Sequence, residues 1–212
     1  MEKRRSPNGL APNGLAYYGA PEISGAQGRV VRATDLERQR DFMADMHELF
    51  DDLAEYRARV IAARLSRSGD TIYNSSHRHA AVLIEQLFLD AENDVRIICR
   101  QLCGRSFGSP LAIAAAERFL ERGGTSLNVI VDAPEVDADG RNAFLDRFEG
   151  RAGVSISKGG VMVPFDFMVV DQRAFRFESD AKTSVARANF NNPGFAKQLV
   201  DAFDVLTELR AA

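Results

Sequence analysis

The chain of 212 residues and 23.4 kDa is 45% hydrophobic and 27% charged, enough apolar content to bury the core of one domain with flanking segments. Its formal charge of −3 and pI near 5.7 exclude a chain-wide basic footprint for nucleic acid or anionic membrane, and no apolar run reaches membrane-spanning length. Two cysteines, Cys99 and Cys103, are too few for a disulfide framework and fit a reducing cytoplasm.

Residues 1–32 read as a flexible tail. Pro-Asn-Gly-Leu-Ala occurs in tandem at Pro7–Ala11 and Pro12–Ala16, and Gly19, Gly25 and Gly28 continue the turn-forming composition. A helical arm is expected over 33–70, opened by Thr34 with Glu37 in capping-box position. Phe42, Met46, Leu49, Leu53, Tyr56 and Val60 recur at steps of four and three, a seam suited to helix pairing within the fold or between two subunits. Phe50 and Ile61 widen the stripe in favour of a core. Acids crowd the first half of this helix, whereas Arg57, Arg59, Arg64 and Arg67 follow late. That order complements the helix dipole and also offers phosphate contacts.

A single α/β domain is expected over 71–212, with helices flanking a mixed sheet. Thr71–Tyr73 reads as a short strand or turn, and a helix from Ser76 to Ala91 carries Ala80, Leu83, Ile84, Leu87 and Phe88 on one face. Val95–Cys99 is a buried strand. Ser109-Pro110 starts a helix to Glu121, which Gly123-Gly124 stops. Leu127–Val131, a short helix from Gly140 to Phe148 and Val154–Ser157 continue the alternation. Pro164–Val170 and Ala174–Glu178 form a hairpin across Asp171-Gln172-Arg173, and an amphipathic helix begins at Pro193. Strands alternating with helices place the chain in the α/β class.

Three places offer chemistry. Asn74-Ser-Ser-His77-Arg-His79 is the densest polar cluster: His77 and His79 lie on one side if the segment is extended, while Asn74, Ser75 or Ser76 caps the helix if it is not. Arg78, Arg96, Arg100 and Arg105 are anion-binding candidates near a strand end, where α/β folds bind ligands. Asp132, Asp137 and Asp139 lack the spacing of a calcium loop, and Cys99-x3-Cys103 has no second pair, so no metal is expected. Neither a dinucleotide nor a P-loop glycine pattern occurs, so no cofactor is expected.

The segment of Ala80–Phe88 leading into Val95-Arg-Ile-Ile, Ala115–Gly124 leading into Leu127–Val131, Phe165-Asp-Phe-Met-Val-Val-Asp171 and the late Asn189-Phe-Asn-Asn-Pro have a characteristic order. In that order the chain resembles one repeat of the phospholipase D-like superfamily, from about Ala80 to Leu206. The resemblance implies a His-x-Lys-x4-Asp signature ending at Asp171. The histidine position is then Pro164 and the lysine position Asp166, so only Asp171 matches. Such chemistry needs an imidazole to attack phosphorus and a cation to hold the phosphate oxygens, and both are absent.

The expected function is therefore that of a non-catalytic interaction or regulatory module, dimeric as single-repeat relatives are, with nucleic acid as a further partner and no membrane contact. The alternative is a phosphodiesterase or nuclease whose site has moved to His77, His79 and the nearby arginines.

Overall fold

The computed structural model describes residues 52–74, 76–159, 164–179 and 185–211. The tail expected over 1–32 and the first half of the arm, with Phe42, Met46 and Leu49, lie outside the described residues. Helix α1 occupies 52–66. It is followed by β1 (Ile72–Asn74), α2 (His77–Asp90), β2 (Asp94–Cys99), α3 (Pro110–Glu121), β3 (Ser126–Val131), α4 (Ala143–Phe148) and β4 (Val154–Lys158). The hairpin β5 (Asp166–Val170) and β6 (Ala174–Glu178), then β7 (Ala186–Asn189) and α5 (Pro193–Ala211), complete the order.

Seven strands form one mixed sheet in the order β1-β7-β6-β5-β2-β3-β4. β2, β3 and β4 run parallel through helical crossovers, and β5, β6, β7 and β1 pair antiparallel. The two-residue side-chain period of a strand sorts the residues between two helical layers. Val95, Ile97, Met168 and Val170 face the core made with α1 to α4, where Leu83, Leu87, Phe88, Phe119 and Phe144 are fully buried. Ile98, Phe167, Val169 and Phe175 face α5, against Ala196, Leu199, Val200 and Phe203. Each large side chain removed from water in this way contributes roughly 1.5–3 kcal/mol.

Three helices start where side chains satisfy their free N–H groups. Ser76 accepts from His79 N, Ser109 from Ala112 N, and Asn142 from Phe144 N and Leu145 N. The expected short helix from Gly140 therefore begins three residues later, after its Asn142 cap. Strand β7 was not expected. Ala186-Arg-Ala-Asn lacks the β-branched and aromatic residues that mark strands, although its burial alternates.

The described half of the helical seam is spent within the chain: Tyr56 and Val60 are buried in the core, and Leu53 packs against it. Arg57 pairs with Glu85 at 2.5 Å, Arg64 donates to Gln86 at 2.8 Å, and Arg67 pairs with Glu92 at 2.6 Å. Three of the four late arginines thus fasten α1 to the α2 segment. The fourth, Arg59, lies over the Tyr56 ring. Among the described residues no helix is long and apolar enough to cross a membrane.

Candidate functional site

The turn joining β5 to β6 places Asp171 and Gln172 at φ +48° and +52°, the left-handed pair of a tight hairpin. The Asp171 carboxylate turns back and accepts from three successive backbone N–H groups, those of Glu92, Asn93 and Asp94, at 2.6, 2.8 and 2.9 Å. It ties the hairpin to the start of β2. Asp171 thus acts on the backbone, at the end of β5 remote from Asp166.

At the other end of β5, Asp166 stands directly opposite Glu178 of β6. Asp166, Arg176 and Glu178 project to the α2 side of the sheet, because positions two apart share a face. Arg176 Nη2 donates to Glu178 Oε2 at 2.7 Å, and its Nε donates to Asn74 Oδ1 of β1 at 3.3 Å. Arg100, one residue beyond β2, reaches Asp166 Oδ1 with both its backbone N (3.1 Å) and its Nε (3.2 Å). Asp166, Arg176 and Glu178 line the floor of a cleft of about 260 Å³, with Arg100 holding Asp166 from outside it. Burial pushes the Asp166 carboxyl above its ordinary value, and the Arg100 guanidinium offsets part of that shift.

The walls come from Ser76 and His77 at the start of α2, the loop carrying Cys103, Arg105 and Ser106, and Glu135. That loop packs backbone on backbone: a Cβ at Gly108 would collide with the Gly104 carbonyl oxygen. His77 Nδ1 is 3.6 Å from Cys103 Sγ. Glu135 accepts from the Gly104 N–H at 3.3 Å, and the Cys103 thiol and this N–H hold its carboxyl below the ordinary value.

The expected site residues are only partly brought together. His77 and His79 separate, since the segment is the first turn of a helix and residues two apart point to different sides of it. His79 stacks on Tyr56 at 4.0 Å, with Nε2 3.3 Å from Asp52, and does not line the cleft. Arg96 lies on the opposite face of the sheet, over the Phe203 ring and paired with Asp94 and Asp204. It forms no basic rim with Arg100. Arg105 lines the cleft, and with Arg78 it borders an adjoining groove between the starts of α2 and α3. Pro164 is exposed, just before β5. The Asp137 carboxylate accepts from the backbone of Asp139 and Arg141 within its loop, and no group of metal-ligating residues converges among the described residues.

Sequence reasoning missed Asn74, Cys103, Glu135, Arg176 and Glu178 as one site. A signal existed for two of them. Phe175-Arg176-Phe177-Glu178 alternates aromatic and charged side chains along a strand, so both charges had to share one face.

No protein-family model and no curated protein sequence matches the chain. Among solved structures it is similar to TrmBL2, an archaeal chromatin protein whose structure shows a novel mode of DNA binding. The TM-score is 0.51 at 10% identity, covering 82% of this chain and 65% of that one, so the chain spans just under two thirds of that protein. NucT from Helicobacter pylori aligns with a TM-score of 0.45 at 9% identity, over 66% of this chain and 97% of that one. At such identities a likeness is one of fold alone, and only the first is close enough to argue from.

Proposed function

We propose that the chain is a phospholipase D-like module that leaves phosphodiesters intact and acts by binding, with nucleic acid as its partner. The observation that carries this reading is the state of Asp166. It stands where the resemblance calls for a cation, lies opposite Glu178, and is bound to Arg100 through two N–H groups. A phosphate placed there meets carboxylates where a cation is needed. The neighbouring arginines are already neutralised by those same carboxylates.

Nucleic acid is favoured as partner because the archaeal chromatin protein of similar fold binds DNA, and because Arg78 and Arg105 border a groove between two helix starts. The α1 arginines support it less, being held by α2. A second copy of the chain is a further expected partner, but it has to meet another surface, since the described part of the helical seam is buried at home.

The test is fluorescence anisotropy with labelled single- and double-stranded oligonucleotides across a salt series. Binding is expected to weaken steeply with salt, and Arg105→Ala should reduce the slope of log K against log salt by about one. Absence of binding at low salt, or an unchanged slope in the variant, overturns the nucleic-acid assignment. One observation favours a second reading: His77 does lie in the cleft beside Arg105. A hydrolase built on that pair would lose its activity in His77→Ala and keep it in His79→Ala.

A further inference from the structure

The two cysteines occupy opposite chemical settings. Cys99 is buried in β2, and burial pushes its thiol well above the ordinary value, which leaves it inert. Cys103 is half-buried, lines the cleft, and its thiol has two acceptors beside it, the Glu135 carboxylate and an imidazole nitrogen, His77 Nδ1, 3.6 Å from its sulfur.

A second observation in the same cleft points to a ligand. Asn74 is 2% exposed, and its Nδ2 has no hydrogen-bond partner among the described residues. The amide is not simply flipped, because Arg176 Nε can only donate and therefore fixes the oxygen on its own side. A buried donor without an acceptor is costly, and an incoming oxygen atom relieves that cost. Asp166, Glu178 and Glu135 outnumber Arg105 and Arg176 in the lining of the same space, so it does not favour an anion. The occupant these features fit is small, neutral and rich in acceptor oxygen.

We infer that Cys103 is an oxidation site for hydroperoxides, with His77 as the proton carrier and Asn74 Nδ2 as the oxygen-holding donor. The thiol proton passes to His77 Nδ1, and Sγ attacks the nearer peroxide oxygen. The O–O bond breaks, and the departing oxygen takes the proton from the imidazolium and leaves as water or an alcohol. Sulfur gives up two electrons to become a sulfenic acid, and the peroxide accepts them. Carbon and phosphoryl electrophiles are not required, and the step is independent of nucleic-acid binding.

The experiment treats the reduced full chain with hydrogen peroxide in the presence of dimedone and locates the adduct by peptide mass spectrometry. One adduct is expected, on Cys103 and not on Cys99. Its rate should exceed that of the same cysteine in the urea-unfolded chain. His77→Gln and His77→Asn, shown by thermal melts to fold, should slow the folded protein by about a hundredfold, the low end of what a positioned proton donor to the departing oxygen contributes. They should also remove the imidazole inflection from the rate–pH profile. Iodoacetamide serves as the control electrophile, and its rate should fall less than the peroxide rate in both variants. Oxidation no faster than in the unfolded chain overturns the inference, as does an unchanged rate in folded His77 variants. Equal losses toward peroxide and iodoacetamide also overturn it, because they would mark an effect on the thiol alone, with no proton delivered to the departing oxygen.

Discussion

Asp171 offers the sharpest separation of a structural role from a chemical one. Replacing it with alanine deletes three hydrogen bonds from backbone N–H groups to a carboxylate, those of Glu92, Asn93 and Asp94. Such bonds are worth more than neutral ones, but they lie near the surface, so together they contribute about 2 kcal/mol. The residue also holds φ +48°, where alanine costs about 1 kcal/mol more than aspartate or asparagine does. Asp171→Ala should therefore lose about 3 kcal/mol, lowering the urea midpoint by about 1 M. Asp171→Gly removes the same acceptors without the backbone strain and should lie about 1 kcal/mol above the alanine variant. Asp171→Asn keeps one acceptor oxygen and tolerates the turn, so it should be the mildest of the three. The assay is equilibrium urea unfolding followed by circular dichroism. A loss under about 0.5 kcal/mol for alanine, within the range of ordinary surface substitutions, refutes the structural role. So does an asparagine variant as unstable as the alanine one.

The other buried charges respond to substitution and to pH. Arg173 binds Asp90 at 2.9 Å and donates to the Phe190 carbonyl at 2.8 Å, while burial pushes the Asp90 carboxyl above its ordinary value. Arg173→Ala should cost about 3 kcal/mol by leaving that carboxylate alone. Adding Asp90→Ala should cost far less than in the parent, as a double-mutant cycle in urea will show. Asp166 also has its carboxyl raised, so the folded state holds the proton more tightly than the unfolded chain does. As pH falls from neutral toward the ordinary aspartate range, the parent should therefore gain stability relative to Asp166→Asn, and the difference should level off below that range. Urea midpoints of the two proteins measured in parallel between pH 7 and 4 test this. A difference independent of pH contradicts the burial of the Asp166 charge.

How much of this was legible in the sequence follows from what kind of signal each feature leaves. The parallel strands carry runs such as Val-Ile-Val and Val-Arg-Ile-Ile, which need cover on both faces and mark themselves plainly. The caps at Ser76 and Ser109 and the hairpin turn at Asp171 are local, and they were readable to within a residue or two. Strand β7 was hidden because two of its four residues are alanines and none is β-branched or aromatic, and it is held by pairing to β6 and β1. The cleft too was only half visible. His77 was singled out, but its partner Cys103 comes from a loop after β2, and Asn74, Arg176 and Glu178 meet through antiparallel register that no local pattern encodes. The pairing of His77 with His79 failed on a single assumption, an extended segment where the chain is already helical.

On the reading proposed above, the cleft at the head of β5 carries neutralised charges and does not cleave phosphodiesters. Its most direct test is incubation of the full chain with bis(p-nitrophenyl) phosphate and with labelled DNA and RNA, with and without added divalent cations, alongside His77→Ala. Product at the background rate in both proteins is the predicted result. Turnover by the parent chain that disappears in His77→Ala contradicts it.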